Sequence, residues 1–374
     1  MGIFNNLFDI DSRDNYAVTG LNKELNSLYI YNYFIKNKKN NLVITNSLYE
    51  ANDVYNRLLN YTNKVLFFPM DDFITSEVTD ISPEFVIDRL TTLNKLLGSG
   101  KYIVVTNLMG ILRYLPNTKL YKNKIIDINK DMDIDRDDFI NKLFDLGYEK
   151  KPVVSRTGEM AIRGYVIDIF PIEFDNPIRI EFWGDTIDSI KYFDLEDQIS
   201  NTFVDSVKIY PYTEFLIDGK IGDNIIRKQK YLLNYSDSVS GLWDYVSDSV
   251  IFYYDYNQII NSYSLLRDNI LEYDSELDDD IKTNYMWDIE DISNKHNIYI
   301  LDIDNLIDLD VNNKKYVSHS IENYCGNFEK LKLDLIRYIK SGKTVILCVD
   351  DRNVVKRIVT YLELDDIIFT DENN

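Results

Sequence analysis

The sequence predicts an α/β protein with a parallel sheet, an inserted α+β segment that contains an antiparallel hairpin, and a short α/β segment at its end. Helix-like and apolar strand-like segments alternate up to about residue 117, and such alternation is typical of a parallel sheet with covered faces. Residues 178–193 instead have the pattern of an antiparallel hairpin. From about residue 320 the pattern is helix, strand, helix.

The first segment contributes three predicted strands and three predicted helices. Its first helix follows Val18-Thr19-Gly20 and extends to about Asn37. The second helix has Ser47 as its N-cap, with Glu50 completing a capping box. The predicted strands of this segment are 41–45, 65–69 and 102–106, and its second and third helices are 47–61 and 83–97. Two further strands, 207–215 and 249–255, are predicted after the inserted segment described next.

The inserted segment begins with a predicted helix over 134–150. One strand over 161–170 follows, in which Gly164 marks a bulge or a point of close approach. The β-rich runs 178–183 and 186–193 are separated only by Gly184-Asp185, and Gly at the first central position suits a type II′ turn. The sequence therefore predicts a tight hairpin here.

Alternation divides the hairpin into two faces. Ile178, Ile180, Phe182 and Ile187 form a core face, and Arg179, Glu181, Trp183, Thr186 and Asp188 form the opposite face. A tryptophan beside an arginine is the composition of a protein-binding hot spot. The alternative is that Trp183 lies flat over a neighbouring strand while Arg179 pairs with Glu181 or Asp188. The direction of Arg163 stays open, because both faces of its strand are apolar.

These residues carry a resemblance to a known family. The run GEMAIRGYVIDIFP (158–171), then PIRIEFWGDTIDSIKYFD (177–194) and Gln198-Ile199-Ser200, resembles the second domain shared by the excision-repair protein UvrB and the transcription-repair coupling factor, Mfd. The resemblance implies that this domain docks UvrA. It also implies that the docking residues are Arg163, Arg179 and the aromatic after Phe182, which is Trp183 here, with Glu181 beside them.

The first segment resembles the first half of the RecA-like domain in UvrB and Mfd, including FPMDD at 68–72. A working phosphate-binding loop needs consecutive Gly-Lys-Ser/Thr. Residues 18–27 keep Gly20 and Lys23 but not that sequence, and Glu24 adds a negative charge. The strand in the place of a Walker B strand ends at Asp255 without a following Glu. We therefore expect a degenerate site, no ATP chemistry, no catalytic residues and no cofactor.

A second candidate loop, SGKT at 341–344, follows a predicted helix and precedes the predicted strand 344–350. This is the reverse of the strand-loop-helix order of a phosphate-binding loop. Gly342 is therefore expected to be a helix C-cap.

Composition narrows the function classes further. The chain has 374 residues, 45% of them hydrophobic, and a formal net charge of −21, which disfavours non-specific DNA binding. Two cysteines, Cys325 and Cys348, and two histidines are too few for a zinc site or a disulfide framework, so no metal is expected and both thiols are expected to be buried. No apolar run is long enough to cross a bilayer, so a cytoplasmic protein is expected.

The resemblance implies four segments: a degenerate RecA-like domain (1–118 and 207–319), the inserted UvrA-interaction domain (119–206) and a small α/β domain that is expected to be truncated (320–374). It implies a non-catalytic, UvrA-recruiting N-terminal module of a family whose full protein is an ATP-dependent DNA translocase that displaces stalled RNA polymerase. Between 106 and the second domain there is almost no room for the DNA-clamping hairpin of UvrB. The alternatives are a UvrB-type ATP-dependent helicase that binds damaged DNA, and a decayed fragment.

Overall fold

The computed structural model describes residues 7–10, 15–71, 82–219, 231–236, 238–274, 285–292, 296–301, 311–347, 349 and 351–362. The chain divides into two compact units between Tyr316 and Val317. Within the described ranges, no helix is long and apolar enough to span a membrane.

The larger unit contains a seven-stranded sheet in which every pairing is parallel. Its strands are β1 (Tyr16–Thr19), β2 (Asn40–Thr45), β3 (Val65–Phe68), β4 (Ile103–Asn107), β15 (Ser249–Tyr254), β16 (Asn297–Leu301) and β17 (Asn312–Lys315). Their order in the sheet is β17-β1-β16-β15-β2-β4-β3. The predicted α/β class with a parallel sheet is therefore confirmed.

Helices cover both faces of this sheet. Neighbouring strand residues alternate between two buried clusters: Val43 packs with α1 (Lys23–Asn37) and α2 (Leu48–Leu59), whereas Leu42 packs with α3 (Pro83–Leu96) and α9 (Tyr256–Asp274). This explains why β3 and most of β2 and β4 read as continuous apolar runs, whereas the edge strand β17 is polar and mostly exposed. The shorter helices are α4 (Leu108–Ile111), α5 (Thr118–Asn123), α7 (Leu232–Tyr235) and α8 (Leu242–Tyr245), and β5 (Leu115–Pro116) pairs with β14 (Val239–Ser240).

The start of α2 is close to the prediction. The side chain of Ser47 accepts a hydrogen bond from the amide of Glu50 at 3.2 Å. The Glu50 carboxylate accepts from the amide of Asn46 at 3.2 Å, one residue before the N-cap. The predicted strand over 207–215 is shorter in the structure, because β13 (Ser206–Ile209) ends at Ile209.

The inserted sheet has six strands: β7 (Glu149–Lys150), β8 (Glu159–Arg163), β9 (Val166–Ile169), β10 (Ile178–Trp183), β11 (Thr186–Phe193) and β12 (Ser200–Val204). Their order is β12-β11-β10-β9-β8-β7, and all pairings except β7 with β8 are antiparallel. One face of the sheet packs on α6 (Arg136–Asp145) and on β6 (Ile126–Asn129), which pairs with β13.

The prediction of one continuous strand over 161–170 is wrong. The chain reverses at Gly164-Tyr165, so that Arg163 on β8 pairs with Val166 on β9. Gly164 has a φ of +58°, a left-handed conformation that glycine adopts without steric cost. Gly164 is therefore part of a hairpin turn and not a bulge.

A buried ion cluster connects the segment after β13 to the large sheet's helices. The fork of Arg89 on α3 donates to both carboxylate oxygens of Glu214, at 2.9 and 3.1 Å, and Arg113 donates to one of them at 2.8 Å. All three side chains are almost completely buried. Burial alone would raise the pKa of Glu214, but the two guanidinium groups outweigh it and the pKa is lowered.

The smaller unit contains α10 (Phe328–Lys340) and α11 (Arg352–Leu362). The C-cap of α10 is Ser341, and Gly342 directly after it has a φ of +76° and donates its amide to the carbonyl of Ile339 at 2.9 Å, so Gly342 ends the helix as predicted, one residue beyond the C-cap position. The predicted strand 344–350 is wrong over 344–347, which form no strand. Cys325 is exposed, so the expectation of a buried thiol is wrong there, and Cys348 lies outside the described residues.

Candidate functional site

The hairpin of β10 and β11 has the predicted turn and faces. Trp183 pairs with Thr186 across Gly184-Asp185, and Gly184 has a φ of +63°, as the first central position of a type II′ turn requires. The register shifts between Glu181 and Phe182, which is a bulge. The four core-face residues, Ile178, Ile180, Phe182 and Ile187, are all buried.

Trp183 projects from the end of this hairpin with 83% of its surface exposed. The alternative in which it lies flat over a neighbouring strand is therefore wrong. The turn below it is fixed to the segment before α6: the Thr186 hydroxyl donates to the Asp133 carboxylate at 2.5 Å, and the amide of Ile134 donates to the carbonyl of Asp185 at 2.8 Å. The indole is thus an exposed group on a firmly held turn.

Arg163 and Arg179 meet at one carboxylate, that of Asp168. The fork of Arg179 donates to both Asp168 oxygens, at 2.7 Å from Nε and 3.0 Å from Nη2. Arg163 donates to the second of these oxygens from the neighbouring strand. Asp168 is completely buried. The fork of Arg179 therefore binds Asp168, and not Glu181 or Asp188, which were the alternative partners. The side chain of Arg163 points to the same face of the sheet and to the same carboxylate.

Arg179 is more enclosed than Arg163. Its guanidinium carbon lies 4.7 Å from the ring centroid of buried Phe193, and its Nη1 donates to the carbonyl of Gln198 at 3.2 Å. Only 17% of its side chain is exposed, against 46% for Arg163. The hydrogen bond to Asp168 raises the pKa of Arg179 above its already high ordinary value, so its charge is permanent.

Glu181 has its own partners on the same face. Its carboxylate accepts from Lys191 at 2.6 Å and from the Ser189 hydroxyl at 2.7 Å, and the bond to Lys191 is the main cause of its lowered pKa. The ammonium of Lys191 also lies 5.0 Å from the ring centroid of Phe203, whose side chain is largely exposed. The predicted site residues therefore form two neighbouring charged groups on one outer face, with Trp183 at its end.

The sequence did not identify Asp168, Phe193 or Gln198 as parts of this surface. Asp168 lies opposite Arg179 in register, as a cross-strand ion pair should. That register becomes readable only once the turn at Gly164-Tyr165 is recognised.

Gly20, Lys23 and Asp255 lie at the carboxyl end of the large sheet. Only residues 20–22 separate β1 from α1, and Asn22 caps the helix by accepting from the amide of Leu25 at 2.9 Å. Lys23 is exposed at the first helical position. Asp255 has a φ of +62° directly after β15, and its amide donates to the carbonyl of Ile300 at 2.8 Å.

This end of the sheet is also acidic. Burial, with the charge of Asp255 as a further cause, raises the pKa of Glu50, although hydrogen bonds from backbone amides and the charge of Lys23 oppose the shift. Arg57 pairs with Asp53 at 2.9 Å and approaches Glu24 at 3.9 Å. The two basic side chains described here, Lys23 and Arg57, thus have carboxylates as neighbours.

Comparison with known proteins adds to this geometry. Residues 126–215 match the model of the UvrB interaction domain. Over 216 residues the chain is 35% identical to the transcription-repair-coupling factor of Staphylococcus haemolyticus, which covers 57% of this chain and 18% of that protein. It is 32% identical over 235 residues to the same factor of Staphylococcus epidermidis (62% and 20%), and 33% identical over 220 residues to that of Staphylococcus aureus (58% and 19%).

The chain spans about a fifth of the length of these curated relatives. The similarity includes the segment that forms the inserted sheet. The resemblance predicted from the sequence is therefore confirmed: the chain is similar to the transcription-repair-coupling factors and matches the UvrB interaction domain over residues 126–215.

Proposed function

We propose that this chain is a UvrA-docking module of transcription-coupled nucleotide excision repair and that it performs no ATP chemistry itself. The observation that carries the proposal is the exposed Trp183 beside the Arg163, Asp168 and Arg179 group. Both lie within the residues that match the UvrB interaction domain.

The composition of this outer face supports docking. Trp and Arg are the residue types most enriched among interface residues that carry binding energy. An indole with 83% of its surface exposed has a large apolar area that a partner would remove from water. Because the turn is held by Thr186 and Ile134, little backbone flexibility remains to be lost on binding.

The charges of this face favour an acidic group on the partner. Two guanidinium groups and one carboxylate leave one net positive charge around Asp168. Arg163 has the more accessible side chain of the two arginines, so it is the one best placed to donate to a partner's carboxylate.

The carboxyl end of the large sheet supports a degenerate RecA-like domain without ATP chemistry. A phosphate-binding loop wraps the phosphates with several consecutive amides, whereas only residues 20–22 separate β1 from α1 here. One of the first helix amides is already bonded to Asn22. The carboxylates of Glu24 and Glu50 would also repel a polyphosphate.

The relatives are named transcription-repair-coupling factors, and we assign to this chain the contact with the repair protein and not the contact with the transcription machinery. Contacts with RNA polymerase and duplex DNA, and the translocase motor of the family, would belong to other parts of a full-length protein. The inserted domain over 119–206 would then recruit UvrA, while 1–118 and 207–319 form its support.

Isothermal calorimetry with purified UvrA tests this proposal. The chain is expected to bind UvrA with a micromolar or lower Kd, and the double variant Arg163→Ala, Trp183→Ala is expected to bind at least a hundredfold more weakly. Circular dichroism establishes that the variant is folded. A folded parent chain that does not bind UvrA would refute the docking function, and a folded double variant that binds like the parent would show that the surface is misplaced.

A further inference from the structure

We infer that Asp168 is the positioning residue of this docking surface, an inference that rests on the proposed function. Its buried carboxylate holds the guanidinium groups of Arg163 and Arg179 in one place before any partner arrives. Asp168 itself is completely buried, so it acts through the arginines and not by contact with the partner.

The strand register places Asp168 where it can serve both arginines. Asp168 on β9 lies directly opposite Arg179 on β10 and opposite Ala161 on β8. Ala161 has no side chain beyond its Cβ atom, so no larger group of β8 stands opposite the carboxylate. Arg163, two residues further along β8, reaches the same carboxylate.

Both oxygens of Asp168 are occupied by arginine donors. One accepts from Nε of Arg179, and the other accepts from Nη2 of Arg179 and from Arg163. The ring of Phe193 and the carbonyl of Gln198 hold Arg179 from two further directions. An arginine that is immobilised before binding loses less side-chain freedom in the complex, and its fork is already oriented.

The Asp168→Asn variant distinguishes an effect of arginine positioning on affinity from an effect of net charge. Asp168→Asn nearly preserves the side-chain volume and removes one negative charge, so the net charge of the group rises from +1 to +2. If charge alone determined affinity, an acidic site on the partner would bind this variant more tightly. If Asp168 positions the arginines, the variant binds more weakly despite its greater positive charge.

The matched control is Glu159→Gln. Glu159 is also a buried carboxylate of this sheet, and it accepts from Arg156 at 3.2 Å and from the amide and hydroxyl of Ser155, but from neither Arg163 nor Arg179. We expect Asp168→Asn to weaken UvrA binding at least tenfold in calorimetry, and Glu159→Gln to stay within twofold of the parent. Equal or tighter binding by Asp168→Asn would overturn the inference.

A second measurement does not depend on UvrA or on the folding of a variant. In nitrogen-15 NMR spectra of the parent chain, the Nε–H of Arg179 should be shifted from the free-arginine position and should exchange slowly with water. It should return towards the free position in Asp168→Asn. An Nε–H that exchanges as fast in the parent as in free arginine would overturn the inference even if the variant does not fold.

The two proposals fail in different ways. A parent chain that does not bind UvrA overturns the proposed function and this inference with it. A parent that binds, together with undiminished binding by Asp168→Asn, overturns the positioning role alone.

Discussion

Trp183 pairs with Thr186 across the two-residue turn of the β10–β11 hairpin, and Thr186 donates a hydrogen bond to Asp133 outside the hairpin. The exposed indole is therefore attached to a backbone that is fixed from two directions. Because the backbone of the turn is already fixed, little backbone entropy is lost when a partner covers the indole.

Trp183→Ala should cost about 2 kcal/mol or more of UvrA affinity, because it removes the largest apolar anchor of the surface. Thermal unfolding should change little, because the indole is mostly in water. Tyr49→Ala is the control, since Tyr49 is an equally exposed aromatic on α2 outside the inserted domain. Calorimetry that shows equal losses for both variants would contradict the assignment of this surface.

Mg-ATP should not bind measurably to the chain, because the turn at residues 20–22 is too short to wrap phosphates and carboxylates surround it. Calorimetry at millimolar nucleotide checks this. A micromolar affinity, about −8 kcal/mol, would contradict it and favour the UvrB-type alternative.

Duplex DNA should bind weakly at physiological salt, because a formal charge of −21 repels the phosphate backbone. Fluorescence anisotropy with plain and lesion-bearing duplexes provides the measurement, with the net-basic lysozyme as a positive control for charge-driven binding. Submicromolar affinity for the damaged duplex alone would again favour the UvrB-type alternative.

Glu214→Gln should destabilise the larger unit by about 3–5 kcal/mol at pH 7, because it leaves the guanidinium groups of Arg89 and Arg113 buried without a negative partner. Urea unfolding followed by tryptophan fluorescence measures the difference. Asp248→Asn, which breaks the exposed pair with Lys39, is the control and should change stability by less than about 1 kcal/mol.

The stability difference between the parent chain and Glu214→Gln should also depend on pH, in a direction that the lowered pKa of Glu214 determines. The folded pKa of Glu214 lies below its unfolded value, so its contribution is fully present above the unfolded pKa, about 4.3, and falls as the pH falls towards the folded value. The stability difference between parent and Glu214→Gln should therefore shrink below about pH 4. A difference that stays constant between pH 7 and pH 3 would contradict the lowered pKa.

The hairpin faces were predictable because alternation with a period of two depends only on local sequence. Ile180 and Phe182 had to be buried together, and Trp183 had to point the other way. The turn at Gly164-Tyr165 was missed, although Gly164 has a positive φ like Gly184 in the other turn, because the residues on both sides of it are mostly apolar and show no clear alternation that would divide them into two strands. Because the turn was not recognised, the ion pair between Arg163 and Asp168 was not predicted either.

Long-range contacts have no local signal at all. Glu214 meets Arg89 across 125 residues of sequence and Arg113 across 101, and nothing near Glu214 indicates that its carboxylate is buried. The segment 344–347 shows the opposite error: its apolar residues suggested a strand, but the structure gives them no strand partner. In both cases the environment, and not the local sequence, decides the conformation.

During synthesis on the ribosome, the strands of the seven-stranded sheet and those of the six-stranded sheet become available at different times. Among the described residues, strand β1 pairs with β16 and β17, and the side-chain oxygen of Asn15 accepts a hydrogen bond from the amide of Asn297, which lies 282 residues later. At about 5–20 residues per second, β1 emerges on the order of tens of seconds before its partners. The six-stranded sheet and the β6–β13 pair, by contrast, have all their strands once Ile209 has emerged, and every pairing in the six-stranded sheet joins strands that are consecutive in the sequence. The outer face that carries Trp183, Arg163 and Arg179 can therefore fold during translation, before the seven-stranded sheet is complete.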